Sequence, residues 1–221
     1  MAIKIITTED GSHSLFDEEM NETYHSTRGA RGESLHVFIR EGLEYFHQSN
    51  ASKEINILEV GLGTGLNALL SALYAEENKI EIAFTSLEPF PIHSAIYEKL
   101  NYHRTDQEKA LFMRIHESEW ENQIEISSGL SLFKTTSRLE VFQTSKHFSL
   151  IYFDAFAPGK QAEVWELDNL RKCYNLLEPG GILTTYCSQG QFKRNLAETG
   201  FKVETLQGAM GKKEMVRAVK S

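Results

Sequence analysis

Cysteine is nearly absent from this chain. Only Cys173 and Cys187 occur in 221 residues. Each lies in a segment that reads as helix or strand, so two buried thiols in a reducing compartment are expected rather than a disulfide framework. Long apolar runs are missing as well: nothing approaches the ~18 consecutive apolar residues of a membrane-spanning helix. The segment Met1 to Asp10 turns acidic too early for a secretory leader, and a cytoplasmic location is expected. Positive charge is scarce, with 23 Lys and Arg against 31 Asp and Glu and a formal net charge of −8. That argues against a general nucleic-acid binder held by bulk electrostatics, while leaving room for a local basic patch. Internal repeats and low-complexity tracts are also lacking. What is present is ordinary for a globular chain, 41% apolar and 24% charged residues, long enough for one α/β domain over residues 1–221.

The chain is organised around Ile55-Asn56-Ile57-Leu58-Glu59-Val60-Gly61-Leu62-Gly63-Thr64-Gly65-Leu66-Asn67. A short apolar and β-branched run ends in three alternate glycines. Leu66, Leu69, Leu70, Leu73 and Tyr74 then follow at helical spacing, which predicts strand, tight loop and helix. The plainer reading is a strand-to-helix turn. Two details point further. A dinucleotide fingerprint needs glycine at its sixth position, where this chain has Leu66, and no phosphate-grasping lysine follows. Glu59, inside the strand end, would repel a diphosphate and suit a ligand with positive charge. The pattern resembles the S-adenosylmethionine loop of class I methyltransferases, whose ligand carries an ammonium and a sulfonium and no phosphate. The resemblance implies cofactor contacts at Glu59, Gly61, Gly63, Thr64, Gly65 and Asn67.

Before the loop, Ile3 to Ile6 predicts a strand and Asp10-Gly11-Ser12 a turn. The polar stretch Glu22 to Ser34 is either a solvated connector or a flap facing a substrate. Ser34 to His47 predicts a helix burying Leu35, Phe38, Ile39, Leu43 and Phe46. Residues 1–50 thus form an N-terminal extension. After the loop, Glu81 to Leu87 predicts a second strand ending in Glu88-Pro89. Glu88 is placed to accept hydrogen bonds from both ribose hydroxyls of an adenosine ligand, or is simply a surface glutamate at a strand end. Pro91 to Leu100 reads as helical. Thr105-Asp106-Gln107-Glu108 has capping-box spacing and opens a helix carrying Leu111, Phe112 and Ile115. Short strands are expected around Ser128-Gly129, and Leu139 to Phe142 as the third core strand, so that residues 100–138 form an insertion.

His147 to Phe153 predicts a buried strand ending in Asp154. Ligands of open α/β sheets lie outside the carboxyl ends of the strands, so Asp154 should face the site. It is the candidate catalytic residue; capping the next helix or touching the methionine ammonium are the alternatives. A helix with Trp165, Leu170, Cys173, Tyr174 and Leu177 follows, then the turn Pro179-Gly180-Gly181 and the strand Ile182 to Cys187. A short helix holds Phe192 and Leu196. Phe201 to Leu206 and Glu214 to Val219 are joined closely enough to pair antiparallel. The expected fold is α/β and Rossmann-like, a seven-stranded, mostly parallel sheet with an antiparallel last strand.

A closer resemblance is carried by Tyr24-His25-Ser26 with Glu33-Ser34, by Ser86-Leu87-Glu88-Pro89-Phe90-Pro91, by Tyr152-Phe153-Asp154-Ala155-Phe156-Ala157-Pro158 with Glu163 and Trp165, and by Gly208 through Gly211-Lys212-Lys213-Glu214-Met215. Together they resemble the methyltransferase domain of the MnmC family, also known as a stand-alone form called MnmD. The likeness runs from about Tyr24 to the C-terminus. It departs at Glu22, where the family usually has Asp, and at Gln161-Ala162, where it commonly has Pro. It implies methylation of the exocyclic amine of 5-aminomethyl-2-thiouridine at the tRNA wobble position, with tRNA and upstream tRNA-modifying enzymes as partners and no metal. The oxidase domain of the bifunctional form is not expected here.

That resemblance also implies substrate contacts at Tyr24, Ser26, Glu33, Phe156, Lys160, Lys212 and Lys213. Tyr24, Phe156 and Trp165 would offer a stacking face for a splayed base, although Trp165, at helical spacing with Leu170 and Cys173, reads as core. Arg28, Arg31, Lys160, Lys193, Arg194, Lys212 and Lys213 would form a local basic rim for phosphates. Rival readings are a spermidine synthase-type aminopropyl transferase, a small-molecule amine methyltransferase, and a silent adenosine-ligand binder.

Overall fold

Alternating strands and helices wind around one large sheet in the computed structural model, which describes residues 3–50 and 54–221. Met1 and Ala2, part of the segment read for a leader, lie outside the described residues. The chain opens with a small antiparallel sheet of β1 (Ile3–Thr7), β2 (His13–Asp17) and β3 (Glu22–Thr23). A helical rod follows, made of α1 (Ala30–Ser34), a π-wound run Leu35–Glu44 and α2 (Tyr45–Ser49). The wider winding turns Val37, Phe38, Ile39, Gly42, Leu43 and Phe46 inward. Leu35, expected in the core, is exposed for this reason.

The main sheet has eight strands. β4 (Glu54–Val60) leads through the glycine loop into α3 (Leu66–Asn78), then β5 (Glu81–Leu87). Of Pro91 to Leu100, only the single turn α4 (Ser94–Tyr97) is helical. α5 (Asp106–Glu117) starts as predicted: Thr105 Oγ1 accepts the Glu108 N–H at 3.1 Å, and Glu108 reaches back to the Arg104 N–H. β6 (Gln123–Ser127) and β7 (Leu130–Thr135) form a hairpin around Ser128-Gly129. Then come β8 (Phe148–Phe153), a 3₁₀ turn Ala162–Trp165, α6 (Leu167–Leu176), β9 (Leu177–Thr185), α7 (Gly190–Glu198), β10 (Phe201–Gln207) and β11 (Glu214–Lys220).

The strand order is β10-β11-β9-β8-β4-β5-β7-β6. β4, β5, β7, β8 and β9 run parallel, while β11 pairs antiparallel with both β9 and β10. The expected seven-stranded sheet with its antiparallel last strand is therefore present, with β6 added as an antiparallel edge. One assignment needs correction. The third parallel strand is Leu130–Thr135, not Leu139 to Phe142, so part of the stretch expected as an insertion builds the sheet itself. Leu139 and Phe142 are buried as loop residues beside Val60, Leu87 and Phe153.

Side-chain alternation splits the core into two layers. Ile55, Ile57, Leu150 and Tyr152 pack under the helical rod, α3 and α5; Leu58, Val60, Ile151 and Phe153 pack against Trp165, Leu170, Cys173, Phe192 and Leu196. Both cysteines are free and buried. All six residues of β8 are buried, as a strand covered on both faces requires. The neighbouring strand ends are stitched by Gly61 N–H to Leu87 O at 2.9 Å and Asp154 N–H to Val60 O at 3.0 Å. The carboxyl ends of β4, β5 and β8 thus converge on one place.

Candidate active site

The convergence point is a cavity of about 300 Å³. Gly61, Gly63 and Thr64 form its floor, Glu88 and Asp154 stand at the adjacent strand ends, and Tyr24, Phe156 and Tyr186 supply aromatic walls. The turn after β2, with Asp17, Glu19 and Met20, closes one side, and Lys160 Nζ donates to Met20 O at 2.9 Å across it.

The three alternate glycines answer to crowding within the protein itself. A Cβ on Gly61 (φ +98°) would lie 2.8 Å from Asp154 O, and one on Gly65 (φ +73°) would lie 2.8 Å from His116 Nε2. Neither position tolerates an L side chain, either in backbone conformation or in space. The Tyr24 ring borders Gly63 in the same way and meets Phe156 edge-on, with centroids 4.9 Å apart.

Glu88 ties the second strand to the loop. Its Oε2 accepts the Gly63 N–H at 2.8 Å and its Oε1 the Phe90 N–H at 2.9 Å. Each carboxylate oxygen keeps a further lone pair, which is what a pair of ribose hydroxyls would use. Burial pushes this carboxyl above its ordinary value. Glu59 behaves differently from its neighbour. Fully buried beneath the loop, it does not line the cavity; it accepts from Ser86 Oγ at 2.7 Å and from Asn67 Nδ2 at 3.1 Å. Burial lifts it to about 8 despite those two hydrogen bonds.

Asp154 does not cap a helix. Its Oδ2 accepts from the same Asn67 Nδ2 at 2.8 Å. Burial, then the Glu59 and Glu33 carboxylates, hold Asp154 well above the usual carboxylate range. Asn67 Oδ1 is buried and finds no donor in the protein. The cavity walls carry Asp17, Glu19, Glu88, Glu140, Asp154 and Glu163 against only Arg138 and Lys160. Raised carboxyls and an acid-rich wall describe a site short of positive charge. An ammonium and sulfonium ligand meets that need, and the residues fit S-adenosylmethionine.

The other expected residues divide. Glu33 is buried, accepts the Ser26 N–H at 2.8 Å and holds Lys212 Nζ at 2.6 Å, with that ammonium 4.4 Å from the centre of the Tyr186 ring. Ser26, Glu33, Lys212 and Lys213 therefore lie around the site without lining its cavity. Arg28 packs on Gly211 and donates to Met210 O, so Arg28, Lys212 and Lys213 gather on one loop. Arg31 does not join them; it turns inward to Tyr102 O at 2.6 Å. Lys193 is paired with Glu214, and Arg194 with Gln191. Trp165 is core, and its Nε1 donates to Phe156 O at 2.7 Å, fixing the wall from behind.

Sequence reasoning assigned nothing to His25, His116 and Tyr186. His25 sat inside a recognised motif; nothing in the pattern singled out His116, in the last turn of α5, or Tyr186, beyond β9. His25 Nε2 and Thr64 Oγ1 are hydrogen-bonded at 2.7 Å, His116 Nε2 donates to Thr64 O at 3.1 Å, and Tyr186 Oη donates to Ala155 O at 2.8 Å.

A parallel sheet reversed at its last strand, with an acid-rimmed glycine loop at its centre, defines a class I methyltransferase. A family model described as S-adenosyl-L-methionine-dependent methyltransferase matches residues 103–221. The chain belongs to that family. It is 27% identical to the tRNA 5-methylaminomethyl-2-thiouridine biosynthesis bifunctional protein MnmC of Leptospira interrogans, over 90% of this chain and 32% of that protein. It is 23% identical to an uncharacterized protein of Methanocaldococcus jannaschii, over 98% of this chain and 59% of the other. The crystal structure of MNMC2 from Aquifex aeolicus superposes with a TM-score of 0.79 at 25% identity, covering 98% of this chain and 69% of that one. The chain thus spans about a third of the length of its MnmC relatives.

Proposed function

We propose that this protein methylates the aminomethyl nitrogen of 5-aminomethyl-2-thiouridine at the wobble position of tRNA. The observation that carries the reading is Asp154, a carboxyl of raised basicity at the end of β8, facing an acidic cavity walled by Tyr24 and Phe156. The name of the MnmC relatives concerns biosynthesis of 5-methylaminomethyl-2-thiouridine in tRNA, the nucleoside this methylation would yield.

S-adenosylmethionine supplies a methyl group activated on a positively charged sulfur. The chain's own residues supply position and a proton acceptor. Asp154, held by Asn67, would accept a hydrogen bond from the amine and take its proton as the N–C bond forms and the methyl–sulfur bond breaks, with S-adenosylhomocysteine as the leaving group. Glu88 would receive the ribose hydroxyls and the loop backbone would hold the methionine part; such positioning contributes ~7–11 kcal/mol in favourable cases. Tyr24 and Phe156, in edge-on contact with each other, offer the base a shared aromatic wall. Because the cavity is acidic, phosphates are met outside it, at Arg28, Lys212 and Lys213, with Lys160 at the mouth. Upstream tRNA-modifying enzymes deliver the aminomethyl group, and the reaction belongs in the cytoplasm. No helix among the described residues is long and apolar enough to cross a membrane.

The deciding experiment supplies purified protein, S-adenosylmethionine and tRNA bearing 5-aminomethyl-2-thiouridine, then weighs the nucleosides after digestion. One added methyl on that base is expected. No gain there, with methyl transfer to putrescine, or aminopropyl transfer to it from the decarboxylated cofactor, in parallel assays, would overturn the assignment.

A further inference from the structure

Thr64 of the glycine loop lies between two positive-φ glycines, Gly63 at +50° and Gly65 at +73°. Such a segment has little stiffness of its own. Its hydroxyl and its carbonyl are nevertheless both held, and by imidazoles from distant parts of the chain. His25, just after β3, is hydrogen-bonded to the hydroxyl at 2.7 Å; His116, at the end of α5, donates to the carbonyl at 3.1 Å. We propose that His25 and His116 are positioning residues that clamp the cofactor loop through Thr64.

Each histidine is itself fixed. His25 lies 8% exposed, and its backbone N–H donates to Ser14 Oγ in β2 at 3.1 Å. His116 stacks on Tyr97 with centroids 4.3 Å apart and planes 10° from parallel, with Phe112 edge-on at 4.7 Å. Its Nε2 must carry the hydrogen, since a carbonyl oxygen only accepts. Burial pushes both imidazoles down to about 4, so both are neutral near pH 7 and neither adds charge beside the cavity. His25 and Thr64 line the cavity; His116 does not, and reaches a ligand only through the loop. The N-terminal sheet and the segment after β5 are therefore working parts of the cofactor site.

The inference rests on the reading of this cavity as the S-adenosylmethionine site, and titration calorimetry with S-adenosylhomocysteine separates the two. Wild-type binding is expected, weakened about five- to tenfold in His116→Phe, which keeps the stacked ring and removes the donor. His116→Gln, which restores a donor at similar reach, should recover most of the loss. His25→Phe and Thr64→Val delete the same bond from opposite ends, so each should weaken binding and the double variant should be no worse than the poorer single one. Melting temperatures identify any variant that fails to fold; if His25→Phe does, Thr64→Val against Thr64→Ser carries the same comparison. Unchanged affinity in the Phe and Val variants, or loss in His116→Phe that Gln does not rescue, would overturn the clamp alone. A wild-type protein that binds no ligand would overturn the cofactor reading and the clamp together.

Discussion

Asn67 Nδ2 lies 2.8 Å from Asp154 Oδ2 and, on its other side, 3.1 Å from Glu59 Oε1. One amide at the start of α3 thereby joins the acid under the glycine loop to the acid at the end of β8. Burial holds both carboxyls high, with the Glu88 charge adding to Glu59 and the Glu59 and Glu33 charges adding to Asp154. This bridge makes three measurable consequences specific, and the basic loop adds a fourth.

The first concerns Asp154→Asn. The amide still offers an oxygen to Asn67, so fold and S-adenosylhomocysteine affinity should change little. It cannot take a proton, and methyl transfer to tRNA should fall by about 100-fold or more at neutral pH. Single-turnover kinetics at saturating cofactor give the number; a rate near wild type would leave Asp154 only an orienting role.

Glu59 makes stability of the ligand-free protein fall with pH. Its folded value, about 8, is raised above the unfolded one, so the folded state holds the extra proton between them. The associated stabilisation is complete below about pH 4.5 and is lost as pH rises through 8. From about pH 7.5 to 8.5 the two buried histidines are neutral in the folded chain and almost wholly so in the unfolded one, and add little slope. Thermal melts across that interval should decline for the wild type, by up to about 1 kcal/mol per pH unit, and decline less for Glu59→Gln. Parallel curves for the two proteins would show that Glu59 is not the group titrating.

Binding of a cation beside these carboxyls should expel protons. Positive charge lowers the raised values of Glu59, Glu88 and Asp154, so S-adenosylmethionine is expected to release protons at pH 7 and to bind more tightly as pH rises toward 8. S-adenosylhomocysteine, lacking the sulfonium charge, should release fewer. Calorimetry in phosphate and in Tris measures the difference directly through the buffer's own ionisation heat; equal proton counts for the two ligands would contradict the account.

On the basic loop the two lysines should part company. Lys213 is exposed, so Lys213→Glu should weaken tRNA binding, reduce the slope of log affinity against log salt by about one, and spare the melting temperature. Lys212 is also the partner of buried Glu33. Lys212→Ala should therefore lower the melting temperature as well as tRNA affinity. Filter binding at several salt concentrations, beside thermal melts, separates the two effects; identical behaviour of the two variants would mean that the Glu33 contact contributes nothing.

Local pattern alone determined much of this protein. Six consecutive buried residues in β8, the alternate glycines after β4 and the Thr105–Glu108 cap are short-range signals, and each produced the element it predicts. The sheet's reversal at β11 also followed, because a short connection permits only an antiparallel neighbour. Tertiary structure decided the rest. Leu130–Thr135 and Leu139 to Phe142 are comparable apolar runs, and the choice of the former as a strand was made by its pairing with β5. Leu35 left the core because the rod winds more widely there than an α-helix. At the site, Thr64 meets His25 across 39 residues and His116 across 52, and Asn67 meets Asp154 across 87. Periodicity extends over a turn or a strand and carries no record of such distant meetings. The burial that sets the basicity of Glu59 and Asp154 exists only once those separate segments have closed around them.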